Sequence, residues 1–304
     1  FELDVLPRSI AVVGLGVVGL EIGQSLHRLG CEVVGIDMKE AIGGLSDPEV
    51  AKAAIDILGQ EFPLWLGQGA EISEGSNGKL RVTAGENSIE VDRVFASIGR
   101  RPNIDKLGLD LIGAPVDERG FPVYNPNTMQ LGDLPVFLAG DVTGERPLLH
   151  EAGDEGRIAG QNAVSEEITA FHRKTPLSIT FCDPNIVQVG QTYASLDLDR
   201  AAVGQVQMAP VGRALIMAKN KGLIRVYADK ASGRMLGAEM ACIKAENLGH
   251  LLAWAIQQNL SVGDLLQMPF YHPVIEEALQ AALYDLYSKV DAKNPGAITE
   301  LRPF

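Results

Sequence analysis

The stretch IAVVGLGVVG, residues 10–19, decides the fold of this 304-residue chain. Its first four residues are apolar and predict a buried parallel strand. Three glycines follow at the spacing G-x-G-x-x-G. After them, apolar side chains recur with the period of a helix, which Gly30 is placed to end. The order of strand, glycine turn and helix is typical of an α/β domain that binds a dinucleotide.

Gly14, Gly16 and Gly19 each have a physical role in such a turn. The first allows a tight turn, the second lets the backbone approach a pyrophosphate, and the third lets the helix pack closely on the strand. The start of the helix adds unpaired N–H groups that attract phosphate. A second strand, residues 31–36, leads to Asp37, whose carboxylate can accept hydrogen bonds from an adenosine ribose. The alternative is a glycine-rich turn that binds nothing.

The composition restricts the partners of the protein. Apolar residues make up 46% of the chain, charged residues 21%, and the formal net charge is −13. This acidity argues against nucleic acid and an anionic membrane surface as partners. The sequence has no run of about 20 uncharged apolar residues, so we expect no membrane span.

The three cysteines, Cys31, Cys182 and Cys242, are far apart in the sequence. None of their spacings is that of a redox or zinc motif, and an odd number does not suit a disulfide framework. We interpret them as small buried residues of a protein in a reducing compartment, the cytoplasm, and expect no metal site.

The rest of the chain shows two patterns. The first part predicts a helix at 50–60, hairpin turns at 76–78 and 86–88, strands at 91–98 and 136–139, and a helix at 150–164. From residue 175 the pattern changes to an antiparallel sheet with helices, an α+β module. Its predicted strands are 179–190, 222–228 and 235–240, and its predicted helices are 245–259, 262–266 and 273–287.

MPFYHPVIEEALQAAL, residues 268–283, contains a histidine in a setting suited to acid–base chemistry. Pro273 can occupy the first turn of a helix, which would place His272 at the start of that helix. Glu276 and Glu277 follow closely, and a carboxylate can hold one imidazole nitrogen while the other stays free for proton transfer. The alternative is a helix-capping histidine.

Seven motifs, in order, resemble those of the pyridine nucleotide-disulfide oxidoreductases, and most of all those of the dihydrolipoamide dehydrogenases. They are GLGVVGLE at 14–21, GRRPN at 99–103, FLAGDV at 137–142, LLHEAGDEGRIAGQNA at 148–163, FCDPNIVQVG at 181–190, GRA at 212–214 and HPVIEEAL at 272–279. The resemblance implies an α/β Rossmann-type NAD domain at 1–103, a central FAD-supporting segment at 104–172, and an α+β dimerisation domain at 173–304.

The resemblance also implies roles for residues on the NAD and dithiol side of the site. His272 matches the acid/base for a dithiol substrate, and Glu277 matches the glutamate that orients it. Glu21 matches a glutamate near nicotinamide and flavin, although a solvated helix charge is the alternative. Gly99 matches a glycine beside the NAD site. The family usually has Thr where this chain has Val274, which leaves the substrate open.

A second set of residues matches the FAD side of the family's site. Asp141, which follows Gly140, matches the aspartate that binds the FAD ribitol. Leu148, Leu149 and His150 match the FAD contacts that come next in the motif. An ordinary histidine at the start of a helix is the alternative interpretation of His150.

Members of the family begin with an FAD domain that carries its own glycine turn and a C-x-x-x-x-C redox pair, and nothing in this sequence matches either. We therefore expect a fragment of an NAD- and FAD-linked, homodimeric enzyme of the dihydrolipoyl dehydrogenase kind. Its substrate would be a dithiol such as a lipoyl group, and the chain would be inactive by itself. Alternatives are a soluble transhydrogenase, a glutathione-type or mercuric reductase, and a non-catalytic NAD-binding dimer. Asp37 would repel the 2′-phosphate of NADP, which favours NAD, while nearby Lys39 keeps NADP open.

Overall fold

A computed structural model describes residues 3–104, 106–118, 121–293 and 301. The chain forms two compact units. The larger joins the residues up to Ile98 with those from Thr175 onward, and the smaller runs from Gly99 to Lys174. The first part of the larger unit contains β1 (Ser9–Val13), α1 (Val17–Arg28), β2 (Glu32–Asp37), α2 (Pro48–Leu58), β3 (Leu64–Leu66), β4 (Glu71–Glu74), β5 (Leu80–Ala84), β6 (Asn87–Val91) and β7 (Arg93–Ala96).

The smaller unit contains α3 (Leu149–Ala163), preceded by a 3₁₀ turn at Asp141–Thr143. The second part of the larger unit contains β8 (Leu177–Thr180), β9 (Asn185–Gly190), β10 (Ala201–Gln207), α4 (Gly212–Ile216), β11 (Leu223–Asp229), β12 (Met235–Cys242), α5 (Ala245–Gln257), α6 (Val262–Leu266) and α7 (Glu276–Lys289). The predicted order of strand, glycine turn, helix and second strand at the start of the chain is confirmed.

A parallel sheet in the order β3-β2-β1-β7 organises the beginning of the larger unit. Its central strands are buried and apolar, as expected for parallel strands covered on both faces, with Val12 and Ile36 fully enclosed. The carboxyl ends of parallel strands meet at one edge of a sheet. The glycine turn after β1, Asp37 at the end of β2 and Ser97 after β7 therefore lie at the same edge.

A five-stranded antiparallel sheet in the order β10-β11-β12-β9-β8 dominates the second part of the larger unit. It confirms the predicted antiparallel sheet. One face packs on α5, α6 and α7 through side chains such as Val226 and Met240. The opposite face contributes Ile186, Leu223 and Ala241 to a core shared with β1, α1 and α2. This second face therefore joins the two parts of the larger unit.

Two predicted strands differ from the structure. Residues 179–190 form a hairpin of β8 and β9 rather than one strand, because Pro184 has no N–H for a ladder and the chain reverses around Asp183. Residues 136–139 form no strand. They fold back on the segment before them, with an isolated bridge between Gln130 and Phe137.

The strand predicted at 91–98 is also wrong in its extent. β6 ends at Val91, β7 begins at Arg93, and the two strands belong to different sheets. Asp92 lies between them, and its carboxylate accepts hydrogen bonds from the Ser9 N–H and hydroxyl at 3.0 and 3.2 Å. These bonds tie the change of direction to the start of β1. β10 was not among the predicted strands.

The predicted burial of the cysteines is confirmed, since Cys31, Cys182 and Cys242 are all buried free thiols. Burial raises the pKa of the Cys182 thiol to about 12, which makes it unreactive. Within the described residues, no group of three or more His, Cys, Asp or Glu side chains is arranged to hold a metal ion. None of the helices in the described part of the chain is long and apolar enough to cross a membrane.

Candidate functional site

The glycine turn has three glycines with three different steric environments. Gly14 has φ +92°, and a Cβ there would lie 2.5 Å from the Ser97 carbonyl oxygen. A Cβ on Gly19 would lie 1.8 Å from the Gly14 carbonyl oxygen. A Cβ on Gly16 would meet nothing within 4 Å. The fold therefore needs Gly14 and Gly19, whereas Gly16 only leaves space open in front of the backbone.

This open space lies at the start of α1. Gly16 is the N-cap residue, and its extended backbone carries no capping side chain. The first turn of α1 also has no acidic side chain that would occupy its N–H groups or repel an anion. Unpaired N–H groups at the start of a helix bind phosphate, so the turn suits a pyrophosphate.

Asp37 lies beside the turn. Its Oδ2 accepts a hydrogen bond from the Leu15 N–H at 2.6 Å, and its Oδ1 accepts one from the Lys39 N–H at 2.9 Å. Each carboxylate oxygen has a further lone pair. The carboxylate is thus fixed at the turn and can still accept hydrogen bonds from ribose hydroxyls.

Glu21 and Gly99 are the remaining candidates of the NAD side. Glu21 lies on α1, and its Oε1 accepts a hydrogen bond from the Phe181 N–H at 2.8 Å. This bond connects α1 to the segment between β8 and β9, so Glu21 is more than a solvated helix charge. Gly99, in the smaller unit, has φ +107°, a conformation that favours glycine. A cofactor role for either residue stays a prediction.

His272 and Glu277 form the contact that the sequence suggested. The His272 Nδ1 lies 2.8 Å from the Glu277 Oε1, and the Glu277 Oε2 accepts the Val274 N–H at 3.0 Å. These bonds, led by the one from His272, hold the pKa of Glu277 below its usual range. The ring itself is 80% exposed, and within the described residues its Nε2 has no hydrogen-bond partner.

The predicted position of Pro273 is wrong. Helix α7 begins at Glu276, so Pro273 lies in the turn before it, and His272 does not cap the helix. Glu277 instead lies in the first helical turn, as Glu276 does, where the positive end of the helix stabilises a carboxylate. The ring is therefore oriented by a side chain that the helix holds in place.

The candidates of the FAD side all lie in the smaller unit. Gly140 has φ +87°, and its N–H donates to the Glu155 Oε2 at 2.7 Å. Asp141 is half exposed and pairs with the Arg100 Nη1 at 2.8 Å. The N-cap of α3 is Leu148, and both Leu149 and His150 are exposed in its first turn. The structure thus presents these residues on the surface of the unit.

A buried ion cluster that sequence reasoning missed supports this surface. The Arg173 Nη2 donates to Glu151 at 2.6 Å and to Glu155 at 2.9 Å, and both glutamates are buried. Glu155 in turn holds the Gly140 N–H. Burying two carboxylates requires a paired cation. Because Glu151 and Glu155 lie one turn apart on the same face of α3, their spacing could have indicated that a basic side chain elsewhere in the chain pairs with them.

Comparison with known proteins gives two family matches. Residues 1–156 match the family described as pyridine nucleotide-disulphide oxidoreductase. Residues 177–283 match the dimerisation domain of the same family.

Among curated proteins, the chain is similar to dihydrolipoyl dehydrogenases. That of Haloferax volcanii is 31% identical over 295 residues, which cover 92% of this chain and 61% of the relative. That of Thermus scotoductus is 31% identical over 293 residues, which cover 93% of this chain and 63% of the relative. The chain thus spans less than two thirds of the length of these relatives.

Among solved structures, the chain is similar to the HOCl-induced flavoprotein disulfide reductase RclA from Escherichia coli. The TM-score is 0.79 at 24% identity, with 95% of this chain and 66% of the other covered. LpdA from Mycobacterium tuberculosis gives a TM-score of 0.81 at 23% identity, with 93% and 62% covered. These similarities show the fold.

Proposed function

Because the chain belongs to the pyridine nucleotide-disulphide oxidoreductases, we propose that it is the nicotinamide-binding and dimerisation part of a disulfide oxidoreductase that uses NAD and FAD. The observation that carries this proposal is the open glycine turn, where Gly16 leaves space at the start of α1 and Asp37 lies beside it. We assign the turn and Asp37 to a Rossmann-type NAD site. Titration of the chain with NADH tests the assignment.

Each residue of the proposed site has a separate role. When bound, the nicotinamide and the flavin supply hydride and electron transfer. The backbone at Gly16 and the first N–H groups of α1 would hold the phosphates, and Asp37 would accept hydrogen bonds from the ribose. From their family motifs we assign Glu21 and Gly99 to NAD binding, each within its own unit. Asp141, next to Gly140, would accept hydrogen bonds from the flavin ribitol, and Leu148, Leu149 and His150 would complete that surface.

The dithiol half of the reaction depends on His272. Glu277 accepts the Nδ1–H bond and so fixes the tautomer in which Nε2 has a free lone pair. His272 Nε2 takes the proton of a substrate thiol and produces the more nucleophilic thiolate. The curated relatives are named dihydrolipoyl dehydrogenases, which supports a lipoyl dithiol as the substrate.

The cysteines of this chain do not provide the redox pair. All three are buried, so none can exchange a disulfide with a substrate. We therefore expect no dithiol oxidation from the chain alone, and we place the redox pair in a flavin domain that completes the enzyme. Free thiols also suit the reducing cytoplasm, which is the compartment we propose.

Replacing Asp37 with alanine is expected to weaken NADH binding about tenfold, which is about 1.4 kcal/mol and typical of a hydrogen bond to a charged group. Binding of NADPH should change less, because the lost carboxylate also repels the 2′-phosphate. Calorimetric titration of NADH and NADPH measures the difference in their affinities. Asp56→Ala, which removes an exposed carboxylate of α2 paired with Lys52, is the control. Tighter binding of NADPH than NADH to the wild type would contradict the assignment.

We expect the chain to form a C2 homodimer, the commonest symmetric assembly. A dimerisation-domain match covers 177–283, and large apolar side chains are exposed there, including Trp254 at 65%. Such side chains are commonly covered at an interface. Sedimentation velocity should give twice the 32.5 kDa of one chain. A monomer at micromolar concentration would rule out this assembly.

A further inference from the structure

A row of three polar side chains crosses the centre of the five-stranded sheet. Arg225 on β11 pairs in register with Glu239 on β12, and Glu239 pairs with Gln188 on β9. Residues in register on adjacent strands point to the same face. The neighbouring row on that face, Leu223, Ala241 and Ile186, is apolar and packs in the shared core. We call Arg225, Glu239 and Gln188 the polar row.

Each side chain of the polar row bonds to the segment from Gly44 to Asp47. The Glu239 Oε2 accepts the Ser46 and Asp47 N–H groups at 2.8 and 2.9 Å, and its Oε1 accepts the Ser46 hydroxyl at 2.5 Å. The Arg225 Nη1 donates to the Asp47 Oδ1 at 2.5 Å. The Gln188 Nε2 donates to the Gly44 carbonyl oxygen at 2.5 Å.

The residue just before this segment, Gly43, bonds to the glycine turn. The Gly43 N–H donates to the Leu15 carbonyl oxygen at 2.8 Å, and the Leu15 N–H donates to Asp37 at 2.6 Å. Asp47 also caps α2 by accepting the Glu49 N–H at 3.0 Å. The polar row therefore reaches the backbone at Leu15, between Gly14 and Gly16, through its hydrogen bonds to the segment, the peptide link from Gly44 to Gly43, and the Gly43 hydrogen bond.

Burying the carboxylate of Glu239 costs folding free energy, which an apolar residue at this position would not cost. Its exposed fraction is 0%, and in the described part of the chain no cation pairs with it. It accepts only neutral donors, which include the Tyr193 N–H at 2.9 Å. Apolar residues in such a place are often at least as stabilising as buried charges. The neighbouring row shows that this face can be apolar.

From this geometry we infer that the polar row, and Glu239 above all, positions the glycine turn for the dinucleotide. Arg225, Glu239 and Gln188 are positioning residues, because none of them lies in the turn itself. The inference rests on the proposed NAD site and deepens it. It makes a sheet of the dimerisation part a determinant of nucleotide affinity.

Glu239→Ala is expected to raise the dissociation constant of NADH about tenfold. Glu239→Gln keeps the shape and most acceptor capacity but opposes an NH₂ group to a backbone N–H, so an increase of about threefold is expected. Gln188→Ala, at the edge of the row, should also raise the dissociation constant of NADH. Asp285→Asn is the matched control, since its carboxylate accepts the Gln205 N–H at 2.8 Å on a different part of the sheet.

Amide hydrogen exchange separates positioning from general destabilisation. In the Glu239 variants, protection should fall at Leu15 and Gly43 and stay unchanged along the β10–β11 ladder. Wild-type affinity for NADH in Glu239→Gln and Gln188→Ala, or an equal loss of protection at all these amides, would overturn the inference. A wild-type chain that binds no NADH would instead refute the proposed function, whatever the variants do.

Discussion

Replacement of His272 by glutamine in the complete flavoenzyme is expected to slow dithiol oxidation by about two to four orders of magnitude, the usual contribution of positioned acid–base catalysis. Electron transfer from NADH to an artificial dye should remain largely intact. The reason is the geometry of the ring. Glu277 holds Nδ1 at 2.8 Å and the ring is exposed, and we propose that Nε2 takes the thiol proton. Glutamine fills similar space but cannot take up a proton at neutral pH.

Two further variants test whether the slower dithiol oxidation comes from the loss of the base at His272. Glu277→Gln should lower dithiol oxidation less than His272→Gln, because the base remains and only its orientation and charge are lost. His250→Gln is the matched control. His250 is also exposed, and its Nδ1 contacts the Glu246 carbonyl oxygen at 2.6 Å rather than a carboxylate. The two half-reactions are assayed separately. Equal losses in both assays for His272→Gln would show that this histidine is structural.

Gly16→Ala is expected to weaken NADH binding without lowering stability, whereas Gly19→Ala is expected to lower the stability of the fold. The Cβ of Gly16→Ala meets no atom within 4 Å, so the unfolding temperature should stay near that of the wild type. The same Cβ occupies the space through which a pyrophosphate approaches the backbone, so NADH binding should weaken by about two orders of magnitude, or about 2.7 kcal/mol.

Gly19→Ala should destabilise the fold itself. Its Cβ would lie 1.8 Å from the Gly14 carbonyl oxygen, a backbone atom that cannot move without shifting β1 or α1. Overpacking of this kind costs about 1–3 kcal/mol or more. Thermal unfolding should therefore shift downward for Gly19→Ala and not for Gly16→Ala, while NADH binding falls in both. An unchanged unfolding temperature in Gly19→Ala would show that the turn has room for a Cβ at this position.

The start of the fold follows from local rules and was predictable. Buried apolar strands, glycine spacing and helical period act over short distances, so β1, α1 and β2 are near their predicted places. The contact between His272 and Glu277 was also predictable, because they are only five positions apart in the sequence and the helix fixes Glu277. The position of Pro273 was not, since a proline suits both the first turn of a helix and the turn before it.

The features that the sequence did not indicate depend on residues far apart in the chain. The polar row requires the register of three strands, and register is fixed by pairing and packing rather than by any one strand. A glutamate inside the apolar run MLGAEMAC was a visible signal at Glu239, but its partners Ser46 and Asp47 lie almost 200 residues earlier. The ion pairs of Arg173 in the smaller unit span only 22 and 18 residues, but they also depend on the fold, because the burial of Glu151 and Glu155 is set only when α3 packs.

Whether the glycine turn is a nicotinamide dinucleotide site can be decided by calorimetric titration of NADH into the wild-type chain and into Gly16→Ala, with thermal unfolding of both. We expect saturable binding of one NADH per wild-type chain, and binding about a hundredfold weaker in Gly16→Ala at an unchanged unfolding temperature. Equal affinity in the two chains, or no binding to a folded wild-type chain, would contradict it.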